Sequence, residues 1–156
     1  MRNLTYLMAI VSVLLILLSI GCKDTFPQSS ITLMNNSDTD VNYYFAFGGE
    51  GGILYPDTTL PVTLTPPFPE ARKGHSGYYD CNCTEVEIFE FISSDTLSLY
   101  IFHPDTLAKY EWQKIIEDYN ILRRYDLSLG DLQRLDFEVI YPPNANMEGI
   151  QMWPPE

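Results

Sequence analysis

Three short runs in this chain repeat with a period of two, and that period constrains the fold more than any other feature. In "VNYYFAF", Val41, Tyr43, Phe45 and Phe47 fall on one side and Asn42, Tyr44 and Ala46 on the other. "TLSLYIF" sets Leu97, Leu99 and Ile101 on one side, and "DFEVIY" does the same with Phe137, Val139 and Tyr141. Side chains two residues apart share a face only on an extended backbone. The chain is therefore expected to build a sheet with these faces turned into a core. A content of 11 Tyr and 8 Phe suits such packing and argues against disorder.

The segments between these runs complete an α+β expectation. Ile31 to Met34 and Val41 to Phe47 flank "NNSDTD", whose short polar side chains favour turns by bonding their own backbone, so an antiparallel hairpin is expected there. From Pro56 to Gly77 prolines recur, which predicts a long surface loop with at most one short edge strand in "LPVTL". Thr84 and Glu87 form a capping box ahead of Ile88, Phe91 and Ile92, predicting a helix from Thr84 to Ser93. Trp112, Ile115, Ile116 and Tyr119 make one stripe of an amphipathic helix that should pack on the sheet. "ILRRYDLSL" reads as a strand, and "SLGDLQRL" as a helical turn capped by Ser128 with Asp131 three residues on. The expected fold is a largely antiparallel β-sheet or sandwich with two or three short helices, preceded by an N-terminal signal helix.

That helix is the uncharged run from Leu4 to Ile20, which follows Arg2 and closes with Gly21 in the layout of a secretory signal. Its length sits at the lower limit for a membrane span, so an uncleaved anchor or soluble export is the alternative. "SIGC", Ser19 to Cys22, resembles the bacterial lipobox, with Ser19 where Leu is commonest. The resemblance implies a signal peptide over 1–21, lipidation of Cys22, a tether over 22–29 and a single domain over 30–156. Several acyl chains, at about 0.8 kcal/mol per buried CH₂, anchor stably where one does not. Loss of Arg2 from nine basic residues, against 21 acidic ones, leaves a net charge of about −13. Such a domain repels nucleic acid phosphates and anionic lipid, so no nucleic acid partner is expected.

Three further likenesses agree with export. Lys23 and Asp24, directly behind Cys22, resemble a short form of the signal that sends Bacteroidota lipoproteins to the outer face of the outer membrane; a plain polar tether is the alternative. "YPDTTLP", "SSDTLSLYIFHPDTLAKYEW", "YNILRRYDLSLGDLQRLDFEVIYPP" and "MWPPE" resemble small lipoproteins of gut Bacteroidales, which implies lineage and location but no activity. The tripeptides at Asp57, Asp95 and Asp105 look like the Asp-Ser/Thr-apolar acceptor of Bacteroidota O-glycosylation, making Thr58, Thr96 and Thr106 candidates, with Thr58 preferred. Asp-Thr pairs also start strands and cap helices without any glycan.

Candidate chemistry is sparse. His75, Asp80, Cys81 and Cys83 offer nitrogen, oxygen and sulfur ligands suited to zinc or copper, without the second cysteine pair of a structural zinc site. A strained Cys81 to Cys83 disulfide and unremarkable cysteines are the alternatives. "GGEGG" lacks the following helix and Lys of a phosphate loop. His103 before Pro104 reads as a turn residue, and Glu85, Glu87 and Glu90 as a solvated helix face rather than the apposed pair of a glycosidase. No G-x-S-x-G, H-E-x-x-H or Walker signature occurs, so no catalytic residue and no cofactor is assigned. Among Tyr43, Tyr44, Tyr78, Tyr79, Trp112 and Trp153, the loop and tail residues Tyr78, Tyr79 and Trp153 are the candidates for a glycan- or protein-binding platform, with "MWPPE" as an extended partner segment. The expectation is a lipid-anchored outer-membrane lipoprotein with a non-enzymatic accessory, binding or structural role; the alternative is a small hydrolase or metal-handling protein using the His75 to Cys83 loop.

Overall fold

The period-two runs are strands, and the central one, Thr96 to Phe102, is covered on both faces. A computed structural model describes residues 30–47, 55–64, 66–80, 85–90, 92 and 95–155. The signal, Cys22, the tether, the "GGEGG" loop and residues 81–84 lie outside the described residues. The described chain is α+β, with two sheets and short helices. The strands are β1 (Ser30–Asn35), β2 (Val41–Ala46), β3 (Glu70–Ala71), β4 (Ser76–Asp80), β5 (Thr96–Phe102), β6 (Arg123–Ser128), β7 (Glu138–Tyr141) and β8 (Gln151–Trp153). The helices are α1 (Glu85–Glu90), α2 (Pro104–Lys109), α3 (Trp112–Asp118) and α4 (Leu129–Arg134), with a 3₁₀ turn at Ala145–Met147.

The expected hairpin does not form. β1 lies at the centre of a three-stranded sheet, β4-β1-β7, whereas β2 belongs to a five-stranded sheet, β3-β2-β5-β6-β8. Both edges of β1 are occupied, antiparallel by β4 and parallel by β7. The turn chemistry serves a crossing between sheets instead. Asn35 is buried, and its amide donates to the carbonyls of Thr39 (2.8 Å) and Ala71 (2.9 Å) while its oxygen accepts from Ser37 N–H (3.0 Å). These bonds turn the chain out of one sheet and into the other.

The alternating faces meet between the sheets. Ile31 and Leu33 of β1 and Val139 of β7 pack against Val41, Tyr43 and Phe45 of β2, Leu97, Leu99 and Ile101 of β5, and Leu127 of β6. Phe47, Phe137 and Tyr141 are partly buried against the same cluster. Leu132 joins the core from α4, which starts with the expected Ser128 cap and extends it to a reciprocal box: Asp131 N–H donates to Ser128 Oγ (3.1 Å) and Ser128 N–H to Asp131 Oδ2 (3.0 Å). Full burial of one Leu or Ile stabilises by about 1.5–3 kcal/mol, so this layer supplies most of the driving force.

The second face of the large sheet is covered too. Ala46, Tyr100 and Phe102 pack with Leu60, Phe68 and Ile115 under α2, α3 and the proline-rich segment. β5 is therefore buried along nearly its whole length, as a strand sandwiched on both faces must be. The proline-rich segment forms no strand at residues 60–64; the edge partner of β2 is the two-residue β3. Carbonyls freed by that irregular backbone accept side-chain donors: Trp112 Nε1 bonds Pro61 O (2.9 Å), and Asn42 Nδ2 bonds Phe68 O (3.1 Å). Helix α2 adds an element beyond expectation, with Pro104 at its first position and His103 as N-cap, Nδ1 accepting from Asp105 N–H (3.1 Å). The "MWPPE" tail is not an open segment at its start, since Gln151 to Trp153 form β8 against β6.

The free edge of β4 is capped from the other sheet. Tyr43, reaching across from β2, accepts from Tyr78 N–H (2.8 Å) and donates to Tyr78 O (3.0 Å). Its ring lies where a Cβ on Gly77 would stand, within 2.3 Å. One hydroxyl thus satisfies the backbone groups that the middle of an edge strand otherwise offers to another chain.

Candidate functional site

Cross-strand register decides which polar groups meet. On the outer face of the large sheet, one row runs Tyr44, Tyr100, Arg124, Trp153 and the next runs Ala46, Ser98, Asp126, Gln151. Arg124 and Asp126, two apart on β6, therefore sit on the same face between Ser98 and Tyr100 on one side and β8 on the other. They are buried, at 8% and 3% exposure.

The Arg124 and Asp126 side chains form an ion pair, Nε donating to the carboxylate at 3.1 Å. Ser98 Oγ also donates to Asp126 (2.7 Å). Arg124 Nη1 donates to the hydroxyl of Tyr119 (2.5 Å), which donates in turn to Thr58 O (2.8 Å). Burial alone would lower the Arg124 pKa, but the attraction of Asp126 and the Tyr119 bond outweigh it and raise it. Burial raises Tyr119, against the opposing pull of Arg124. Tyr100 is pushed far above the ordinary tyrosine range by burial, then by Tyr119, with Arg124 opposing. Its hydroxyl is buried and meets no described residue in hydrogen-bond geometry, Ser98 standing close enough only to lower its pKa slightly, an uncommon condition for a native polar group.

Tyr119 reaches this position from a costly backbone. It caps the C-terminus of α3 in the left-handed region (φ 52°, ψ 47°), where Gly is the usual residue, while Asn120 N–H closes the helix on Ile115 O (3.0 Å). A side chain there costs on the order of 1 kcal/mol. The tyrosine is held at that position by its bonds to Arg124 and Thr58 and by its edge-to-face contact with Trp153, ring centroids 4.9 Å apart.

These residues line a groove of about 410 Å³ formed with Thr58, Thr59, Leu60 and Ile116. Trp153 stands at its rim, 39% exposed. Arg124 Nη2 makes no hydrogen bond to a described residue, and it is not a fully buried atom. Arg124 lines the groove, and Nε and Nη1 are the nitrogens already engaged by Asp126 and Tyr119. A larger hollow of about 510 Å³ beside α4 is lined by Arg134, Asp136, Glu138 and Glu148, but Arg134 is already bound to the carbonyls of Asn146 (2.9 Å) and Glu148 (3.2 Å).

The sequence-derived candidates separate. Trp153 is in the groove, whereas Tyr78, 61% exposed, lies on β4, which touches β3 at the opposite edge of the large sheet. Tyr79 packs its ring at a tilt against Phe47 with centroids 4.1 Å apart, Tyr43 is in the core, and Tyr44 and Trp112 pack in the second hydrophobic layer. The three-residue platform is therefore not one surface. His75 is exposed; Cys81 and Cys83 lie outside the described residues, as does the Asp80 side chain. Among the described residues no group of three or more His, Cys, Asp or Glu is placed to hold a metal ion. Glu87 and Glu90 are exposed. Thr58 is half-buried in the groove wall, Thr96 half-buried at the start of β5 with Oγ1 donating to Asp95 (3.0 Å), and Thr106 half-buried on α2.

Arg124, Asp126, Tyr119, Ser98 and Tyr100 escaped the sequence reading. One signal was present: Arg124 and Asp126 share a strand face, opposite Tyr125 and Leu127. Oppositely charged neighbours of that kind read as a solvated edge unless the second face is known to be covered. No protein-family model matches the chain, and neither a curated protein nor a solved structure matches it. Among the described residues, no helix is long and apolar enough to cross a membrane.

Proposed function

We propose that this protein is a lipoprotein of the outer membrane, anchored through Cys22, whose domain works by binding rather than by catalysis. The single observation that carries the binding role is the groove at Trp153, lined by a guanidinium that Asp126 and Tyr119 hold through Nε and Nη1, with Nη2 making no hydrogen bond to a described residue. A few oriented polar groups within mainly apolar walls are how protein sites fix a ligand. The Arg124 charge is already neutralised by Asp126, and no titratable base stands beside a nucleophile in the groove, so the arrangement favours recognition over bond-making. The lipobox-like "SIGC" supports the anchor.

Two measurements test the reading separately. Cys22→Ala should move the protein from the membrane to the soluble fraction and abolish incorporation of labelled palmitate; retention in the membrane with the label would reject the anchor. A photo-crosslinking residue at Thr59, on the groove rim, should give an adduct of defined mass in intact cells that the same residue at Glu90 does not. Equal adducts at both positions, or none at either, would reject the groove as the binding site.

A further inference from the structure

We infer that the groove takes a neutral saccharide, one sugar ring lying against Trp153 with a hydroxyl on Arg124 Nη2. This inference rests on the binding role proposed above and names its ligand class. Three observations lead to it. The guanidinium has a carboxylate partner at 3.1 Å, so the site offers directed N–H donors without a net positive charge. The chain as a whole carries −12, which repels an anionic ligand before it reaches those donors. The remaining lining combines an exposed indole, a phenol and two threonines with Leu60 and Ile116. An aromatic face covers the C–H side of a pyranose while hydroxyls and N–H groups bond its rim.

Charge complementarity separates the classes. A carboxylate or phosphate would seek an unpaired guanidinium, and here the bidentate approach through Nε is closed by Asp126. A purely apolar ligand would leave Nη2 and the threonine hydroxyls desolvated without partners, which is unfavourable. A sugar hydroxyl accepts from Nη2 and donates elsewhere.

The test uses the full chain in a detergent without a sugar head group, titrated by calorimetry with methyl glucoside, N-acetylglucosamine and cellobiose, and in parallel with glucuronate and phosphate. Binding of at least one neutral sugar is expected, weakened at least about tenfold in Trp153→Ala and similarly in Arg124→Lys. Because Arg124 is buried, Arg124→Lys is read only where its circular dichroism matches the parent; Trp153→Ala, at the exposed edge strand, decides otherwise. Binding of glucuronate or phosphate alone, lost in Trp153→Ala, would overturn the saccharide class and leave the groove a binding site. Sugar binding unchanged in Trp153→Ala would overturn the site. No binding by any probe would overturn the saccharide inference, while the Thr59 crosslink decides independently whether the groove is occupied at all.

Discussion

The two faces of the five-stranded sheet are built from the same strands and do opposite work. Towards the small sheet, β2, β5 and β6 present Tyr43, Phe45, Leu97, Leu99, Ile101, Tyr125 and Leu127, a layer whose two phenol hydroxyls bond the backbone of Tyr78 and of Ile140. Away from it the same strands present the apolar Tyr44, Tyr100 and Phe102 and, beside them, the polar Ser98, Arg124 and Asp126. The first face is specified by volume and area. The second mixes a hydrophobic half, which docks α3, with a polar half whose every bond depends on geometry. An apolar layer loses stability in proportion to what is removed, whereas a buried ion pair is stabilising only while both partners are present.

Removing one partner is the most direct way to break the comparison. Asp126→Ala leaves Arg124 buried beside Tyr119 without its carboxylate and should cost about 3–5 kcal/mol by urea unfolding. Leu99→Ala on the dry face should cost about 2–5 kcal/mol through the cavity it leaves. A cost under 1 kcal/mol for Asp126→Ala would mean that the pair is hydrated rather than buried. Gly77→Ala sharpens the account of the dry face. Its methyl meets the Tyr43 ring, so a loss of about 1–3 kcal/mol is expected, with self-association if the ring is driven off the β4 edge. Equal stability would show that Tyr43 does not cap that edge.

Alkaline titration probes both faces together, with a smaller effect. Tyr43, Tyr44, Tyr119 and Tyr141 all have pKa values raised, burial being the largest cause in each. Below the ordinary tyrosine value of about 10 both folded and unfolded chains hold the proton and the contribution is constant. Above it the unfolded chain ionises first, so stability falls as pH rises. Tm should stay level through neutral pH and then drop, and Tyr100→Phe should lessen the drop because the raised Tyr100 is removed. A Tm that rises above that range would contradict the burial of these phenols. At neutral pH Tyr100→Phe should be the mildest change, within about 1 kcal/mol of the parent, since it deletes a buried hydroxyl that meets no described residue in hydrogen-bond geometry. A loss of 2 kcal/mol or more would instead mean that this hydroxyl holds a bond.

Much of the architecture could be read from residue order. Leu97, Leu99 and Ile101 point inward as their spacing requires, the helix from Trp112 packs on the sheet by Ile115, and Ser128 and Asp131 close their capping box. These are local relations, fixed by φ/ψ and by neighbours within four residues. Pairing partners were not readable. "NNSDTD" carries the same turn chemistry whether it joins two strands of one sheet or crosses between sheets, and the buried Asn35 amide reaching Ala71 is a contact across 36 residues. Pro104 after His103 carries the same local chemistry in a turn as in a helix start, and only the following residues' packing makes it the latter.

By itself the sequence determined the α+β class, the inward faces of the period-two strands, the amphipathic stripe of α3 and the acidic balance that repels phosphate, because each follows from side-chain periodicity or from counting charges. Only the tertiary structure decided that β1 and β2 part company, that β6 is covered on both faces, and that Arg124, Asp126, Tyr119 and Trp153 converge. The reason is physical: register and layer order are set by long-range packing and by which backbone edges are already occupied, and the bond from Tyr119 to Thr58 spans 61 residues that no local pattern links.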